Sequence, residues 1–230
     1  MSKLNLKITF IALSLTLFNC KKESTEFENF KFANEENILI CENLDTKLYV
    51  EALLSFEDDI ALYYDEKNKN IRRAHSFYFR DAIANRAKYE EFVSPHTMEV
   101  FESLKQDKYL WNEDNSINYN ADIFTCLSSN FKVEGLQTTF NALVSTNSMS
   151  PELFGAPLKA HVKNAHEDRY MATYIALDLF YAKLFNVDPA TITERTGSTL
   201  NNKIKNLPAI NAAKVNQENA VKIEQKESQE

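Results

Sequence analysis

Residues 49 to 63 read Tyr-Val-Glu-Ala-Leu-Leu-Ser-Phe-Glu-Asp-Asp-Ile-Ala-Leu-Tyr. Tyr49, Leu53, Phe56, Ile60 and Tyr63 recur at alternating steps of four and three, the period of one face of an α-helix. Lys47, Glu51, Ser55, Asp58 and Asp59 fall on the other faces, so the segment reads as amphipathic. Asp45 stands where an N-cap is needed, and the Asp65 to Asn70 run, DEKNKN, ends the pattern as a turn.

The same period continues outward. Ile71, Ala74, Tyr78, Ala82, Tyr89 and Phe92 share one side of a second helix, and Arg72, Arg73, Arg80 and Arg86 on it are expected to face the acidic first helix. Ser94-Pro95 and Ser150-Pro151 each pair a capping residue with a proline at the first helical position, the local signature of a helix start. Asn120 caps a segment through Phe131, and another runs from Glu134 to Thr146. Gly155 and Pro157 are expected to split the helix begun at Ser150. Tyr170, Tyr174, Leu177, Tyr181 and Leu184 form a stripe that Ala172, Ala176 and Phe180 widen, which marks a central helix with several neighbours. A further helix is expected over 191–205. Between Trp111 and Ile117 the turn-rich NEDNS suits a small hairpin or a plain loop. The fold class is therefore all-α, a single bundle of about six or seven helices.

Only Gly135, Gly155 and Gly197 occur in the chain. Phosphate-cradling loops and dinucleotide folds need clustered glycines, so both are excluded. No Gly-x-Ser-x-Gly elbow is present. The Asn112 to Ile123 segment places Asn112, Asp114 and Ser116 like calcium ligands. It has Ile117 where the loop glycine belongs and Ile123 where the bidentate glutamate belongs, so calcium is not expected. His166-Glu167-Asp168-Arg169-Tyr170 has Tyr170 where a zinc-protease helix carries its second histidine. The remaining metal candidates are His161, His166 and Glu167. The two histidines are five apart, which turns them off a common helix face. No catalytic or cofactor-binding residue is assigned. Cys41 and Cys126 either pair, closing a long loop in an oxidising compartment, or stand apart as buried thiols.

The chain opens with Lys3 and Lys7, an uncharged apolar run from Ile8 to Phe18, and Leu17-Phe18-Asn19-Cys20, followed by Lys21, Lys22 and Glu23. The run is about half of the roughly twenty residues a membrane span needs, and the layout is that of a secretory signal. With Leu17 three residues before Cys20, the stretch resembles the lipobox of bacterial lipoproteins. The resemblance covers these first residues and implies cleavage between Asn19 and Cys20. It also implies a diacylglyceryl thioether on Cys20 with an acylated amine, and a soluble domain anchored to the cell envelope. Lys21 after the cysteine leans, by the same resemblance, toward the outer membrane.

The expected organisation is a signal peptide over 1–19, a lipidated cysteine and polar tether over 20–42, the helical domain over 43–208 and a polar tail over 209–230. Phe27, Phe30 and Phe32 within the tether have no clean period and are candidates to dock on the domain. Of the chain's 26 Lys and Arg, Lys3 and Lys7 leave with the leader, so 24 remain against 33 Asp and Glu, a net charge of minus nine. That balance disfavours nucleic acid, whose phosphates need a basic face. The expected partners are the membrane, through lipid, and an envelope protein. The function expected is a non-catalytic binding or interaction module; the alternative is an enzyme with a dispersed metal site around His161, His166 and Glu167.

Overall fold

The computed structural model describes residues 27–35 and 38–193. Cys20, the rest of the leader, the helix expected beyond residue 193 and the polar tail lie outside the described residues. Among the described residues nine α-helices follow in chain order: α1 Lys47–Tyr64, α2 Ile71–Ile83, α3 Tyr89–Phe92, α4 Pro95–Leu104, α5 Asp122–Ser129, α6 Glu134–Ser145, α7 Pro151–Lys159, α8 Arg169–Ile175 and α9 Ala182–Leu184. A 3₁₀ segment, Val162–Glu167, precedes α8, and a π-helical segment, Ala176–Tyr181, runs from α8 into α9. The fold is all-α. Among the described residues extended pairing is confined to one antiparallel bridge, Trp111 with Ile117, which closes a short hairpin.

α1 and the α8–π–α9 rod form the centre. α1 packs on α2, α3, α4, α8 and the π segment, while α5 lies on α8 and carries α6, which in turn packs on α7. Tyr49, Leu53, Phe56 and Ile60 are buried as their period requires. Glu51, Ser55, Glu57 and Asp59 are buried as well, which the amphipathic reading did not anticipate. With neighbours on most of its sides α1 keeps little solvent face, and its buried carboxylates persist there because each finds a donor. Asp58 alone of the Asp58-Asp59 pair stays exposed, bridged to Lys31 at 2.7 Å.

Several local expectations are corrected. The second helix does not run through to Phe92: it stops at Ile83 because Asn85 enters the left-handed region at φ 51° and Arg86 N–H closes on the Asp81 carbonyl at 2.8 Å. Asn147, at φ 52°, ends α6 in the same way, with Ser148 N–H on Leu143 carbonyl at 2.8 Å. In a chain with three glycines, asparagine takes the left-handed helix-end position, which it tolerates better than other non-glycine residues. Gly155 and Pro157 do not split α7, since the proline removes only one rung near its end. Thr46 rather than Asp45 holds the cap position of α1, and Asp45 supports it by accepting the Lys47 N–H at 3.0 Å. The four arginines do not pair with α1: within α2 Arg72 pairs with Glu167, Arg80 with Asp81, and Arg73 lies over the Phe77 ring, while Arg86, beyond the end of α2, also pairs with Asp81.

Two aromatic clusters flank the rod. Phe180 meets Phe56, Tyr78, Tyr89 and Phe92 on one side, at ring separations of 5.0 to 6.1 Å. Tyr174 meets Phe124, Phe131, Phe140 and Phe154 on the other, at 5.2 to 6.3 Å. Cys41 and Cys126 are joined by a disulfide that ties the approach to α1 onto α5. No helix among the described residues is long and apolar enough to cross a membrane.

Candidate functional site

The three metal candidates do not come together as a ligand set. His161 precedes the 3₁₀ segment, which winds more tightly than an α-helix. Glu167 is engaged by Arg72 at 3.2 Å and lies 3.5 Å from His166 Nε2. His166 Nδ1 is buried with no hydrogen-bond partner. Among the described residues no three His, Cys, Asp or Glu side chains are placed to share a metal ion.

Four of the five buried carboxylates among the described residues form separate constellations. Glu57 accepts both Arg169 guanidinium nitrogens at 2.8 Å and lies 2.8 Å from His75 Nε2. Burial pushes its carboxyl up, but the hydrogen bonds from His75 and Arg169 outweigh that and hold it below the usual carboxylate range. Glu51 accepts the backbone N–H groups of Lys31 and Phe32 and contacts His96. Asp59 accepts the Ser94 N–H at 3.0 Å, joining α1 to the start of α4. Asp168 caps α8 through the Met171 N–H and accepts the Lys132 N–H. Each of these carboxylates joins two or more chain segments, and each is accounted for as an architectural tie.

Like Glu51, which lines a cleft of about 580 Å³ beside Phe30 and Phe32, Asp178 also lines a cleft. It sits in the π segment, where one turn is wider than an α-turn and re-aims the side chains around it. The carbonyl of Leu179, within this wide turn, accepts the hydroxyls of both Tyr78 and Tyr89, at 2.6 and 2.9 Å. Tyr119 and Tyr174 donate to the two Asp178 oxygens at 2.7 and 2.6 Å. Burial raises the Asp178 carboxyl above its ordinary range, ahead of the opposing tyrosine hydrogen bonds and the pull of Lys183; Glu152 adds to the rise. The same burial pushes both tyrosine hydroxyls upward, so they stay protonated as donors.

The cleft over this group measures about 370 Å³ and is edged by Ser116, Tyr119, Glu152, Asp178, Lys183 and Asn186. A second cleft of about 390 Å³, with Ala82, Ile83, Asn85, Gly155 and Lys159 in its wall, shares Pro151, Glu152 and Lys183 with it. Neither Glu152 nor Lys183 makes a side-chain hydrogen bond or ion pair to another described residue. A cation and an anion thus stand on the ridge between two openings, above the Asp178 carboxyl. Such a site can pair with both ends of a small polar molecule. One signal pointed here: Asp178 is the lone charge within Ile175–Tyr181, IALDLFY, where an acid must find buried donors.

Comparison with protein-family models, with curated proteins and with solved structures finds no match to this chain. The class that fold and site define is an all-α domain stapled by a disulfide, with two adjoining clefts along its central rod.

Proposed function

We propose that this protein is a lipid-anchored binding module of the bacterial cell envelope, attached to a membrane through acylated Cys20. The outer membrane is favoured over the inner. The observation that carries the reading is the leader, with its basic start, short apolar run and Leu17 three residues before Cys20. The Cys41–Cys126 disulfide supports it, because such bonds persist in exported proteins and are rare in reducing cytosol. Stable attachment by two or more acyl chains needs no transmembrane helix. The cleft over Asp178, with Glu152 and Lys183 at its edge, is the seat assigned to a small polar ligand or to the polar end of an envelope protein partner.

The anchor is tested by changing Cys20 to Ala and separating membrane from soluble fractions. The variant is expected in the soluble fraction; one that stays with the membrane overturns the reading. The cleft is tested by placing a photo-crosslinking residue at Asn115 and irradiating intact membranes. A discrete adduct lost on Lys183→Glu is expected, and an adduct pattern unchanged by that substitution counts against the cleft.

A further inference from the structure

Residues 27–35 have the composition of a free linker, yet they lie along α1 and the start of α4. Both oxygens of Glu51 are engaged by this segment: Oε1 accepts the Lys31 N–H at 2.8 Å and Oε2 the Phe32 N–H at 3.0 Å. His96 Nε2 lies 2.7 Å from the same Oε1, and Glu51 is only 1% exposed. Outside this latch, Asn29 donates to Glu99 at 2.7 Å and Lys31 pairs with Asp58 at 2.7 Å. The Phe27 ring lies 6.1 Å from His96, and Lys47 stands 4.0 Å over the Phe30 ring. A buried carboxylate that loses two backbone donors is left under-satisfied, so the seated strap is the favoured state. Further along, the Cys41–Cys126 disulfide fixes the chain covalently, beside Ile40, whose N–H and carbonyl both meet the Tyr170 hydroxyl.

We infer that this strap is a two-length leash which, when seated, holds the edge of the domain bearing Phe27 and His96 against the lipid surface. The inference rests on the anchor at Cys20 proposed above. Six residues, Lys21 to Glu26, separate Cys20 from Phe27. Even fully extended, that stretch spans no more than about 24 Å. With the strap unseated, the next fixed point is Leu39, buried in the core and tied to Thr46 just before the disulfide, and the eighteen residues from Lys21 to Ile38 reach up to about 65 Å. Glu51 is the latch that selects between the two lengths, and Leu39, with the disulfide just behind it, is the stop that bounds the longer one. The mature chain's net charge of minus nine gives no attraction to anionic headgroups, so the leash rather than adhesion sets the spacing. With the strap seated the partner surface is the bilayer itself, and the clefts beside Asp178 are carried on a short, directional mount.

The test joins the mature chain, disulfide intact, through its Cys20 thiol to a maleimide lipid in a supported bilayer, and measures the protein layer by neutron reflectometry. Chemical attachment makes the result independent of whether cells lipidate Cys20, which the Cys20→Ala fractionation decides separately. The wild-type layer is expected to begin within about 24 Å of the headgroups. Glu51→Ala should move it outward and broaden it. The pair Asn29→Ala with Lys31→Ala, which alters only surface contacts, should move it in the same direction and keeps the test valid if Glu51→Ala fails to fold. A wild-type layer that begins beyond that distance overturns the inference, as does one that both folded variants leave in place.

Discussion

Replacing Cys41 and Cys126 together by alanine removes the covalent tie between the approach to α1 and helix α5. The two Cα atoms lie 5.7 Å apart, and the bond closes a loop across a sequence separation of 85. In the chain-entropy model a loop of that size costs the unfolded chain about 15 cal/mol/K, so its loss lowers stability by about 4 to 5 kcal/mol at 25 °C. The native state keeps other ties there: Thr46 Oγ1 donates to the Leu39 carbonyl at 2.9 Å, and Tyr170 holds Ile40. The far-UV circular dichroism of the double variant should therefore match wild type, with the difference residing in the unfolded ensemble. With a urea dependence of about 2 kcal/mol/M, the unfolding midpoint should fall by about 2 M. Wild type in reductant should unfold with the variant. A midpoint shift below about 0.5 M, or a reduced wild type that unfolds like the oxidised one, would refute the loop-entropy reasoning.

Other outcomes follow from the buried charges and the backbone. Asp178→Asn should flatten a pH dependence: a carboxyl raised by burial stabilises the native state below the ordinary carboxylate range and loses that contribution as pH climbs through its elevated native value. Thermal melts at about pH 4 and 8 compare the two proteins, and parallel curves would sink the argument. Arg169→Met strands the Glu57 carboxylate with only His75 and should cost about 3 to 5 kcal/mol at neutral pH by urea titration. Because Glu57 is held below the usual range, its contribution is present above that range and fades as pH falls through the lowered native value. The gap between wild type and Arg169→Met should thus narrow in acid, and a constant gap would contradict the charge assignment. Lys69 sits at φ 47°, where a side chain costs roughly 1 to 2 kcal/mol, so Lys69→Gly should stabilise by about 0.5 to 1 kcal/mol after the glycine's extra chain entropy. A destabilised Lys69→Gly in the same titration would show that no strain is stored there.

Local chemistry was legible where it was self-contained. Ser94-Pro95 and Ser150-Pro151 start α4 and α7, with each serine accepting an N–H from within the first turn. The stripe of Tyr49, Leu53, Phe56 and Ile60 identified the buried side of α1, because a helix repeats its faces with a fixed period. The period could not reveal that Glu51, Ser55 and Asp59 are buried too. It reports which residues share a face, and the number of neighbours around a helix is set by the other helices. The break at Asn85 was hidden for a related reason: Tyr89 and Phe92 continue the apolar spacing of α2 across a left-handed turn.

By itself the sequence determined the helical class and the serine-capped helix starts, for these depend on groups within one turn of each other. It also excluded glycine-rich phosphate loops. Tertiary structure alone decided which donors meet the buried acids. Glu57 takes Arg169 from 112 positions away, and Asp178 takes Tyr119 from 59 away. It also decided that Cys41 meets Cys126, that Lys31 and Phe32 find Glu51, and that Glu152 and Lys183 share a cleft edge. A buried charge is tolerated only with its partners in place, and those partners come together through packing of the whole bundle, which no local spacing encodes.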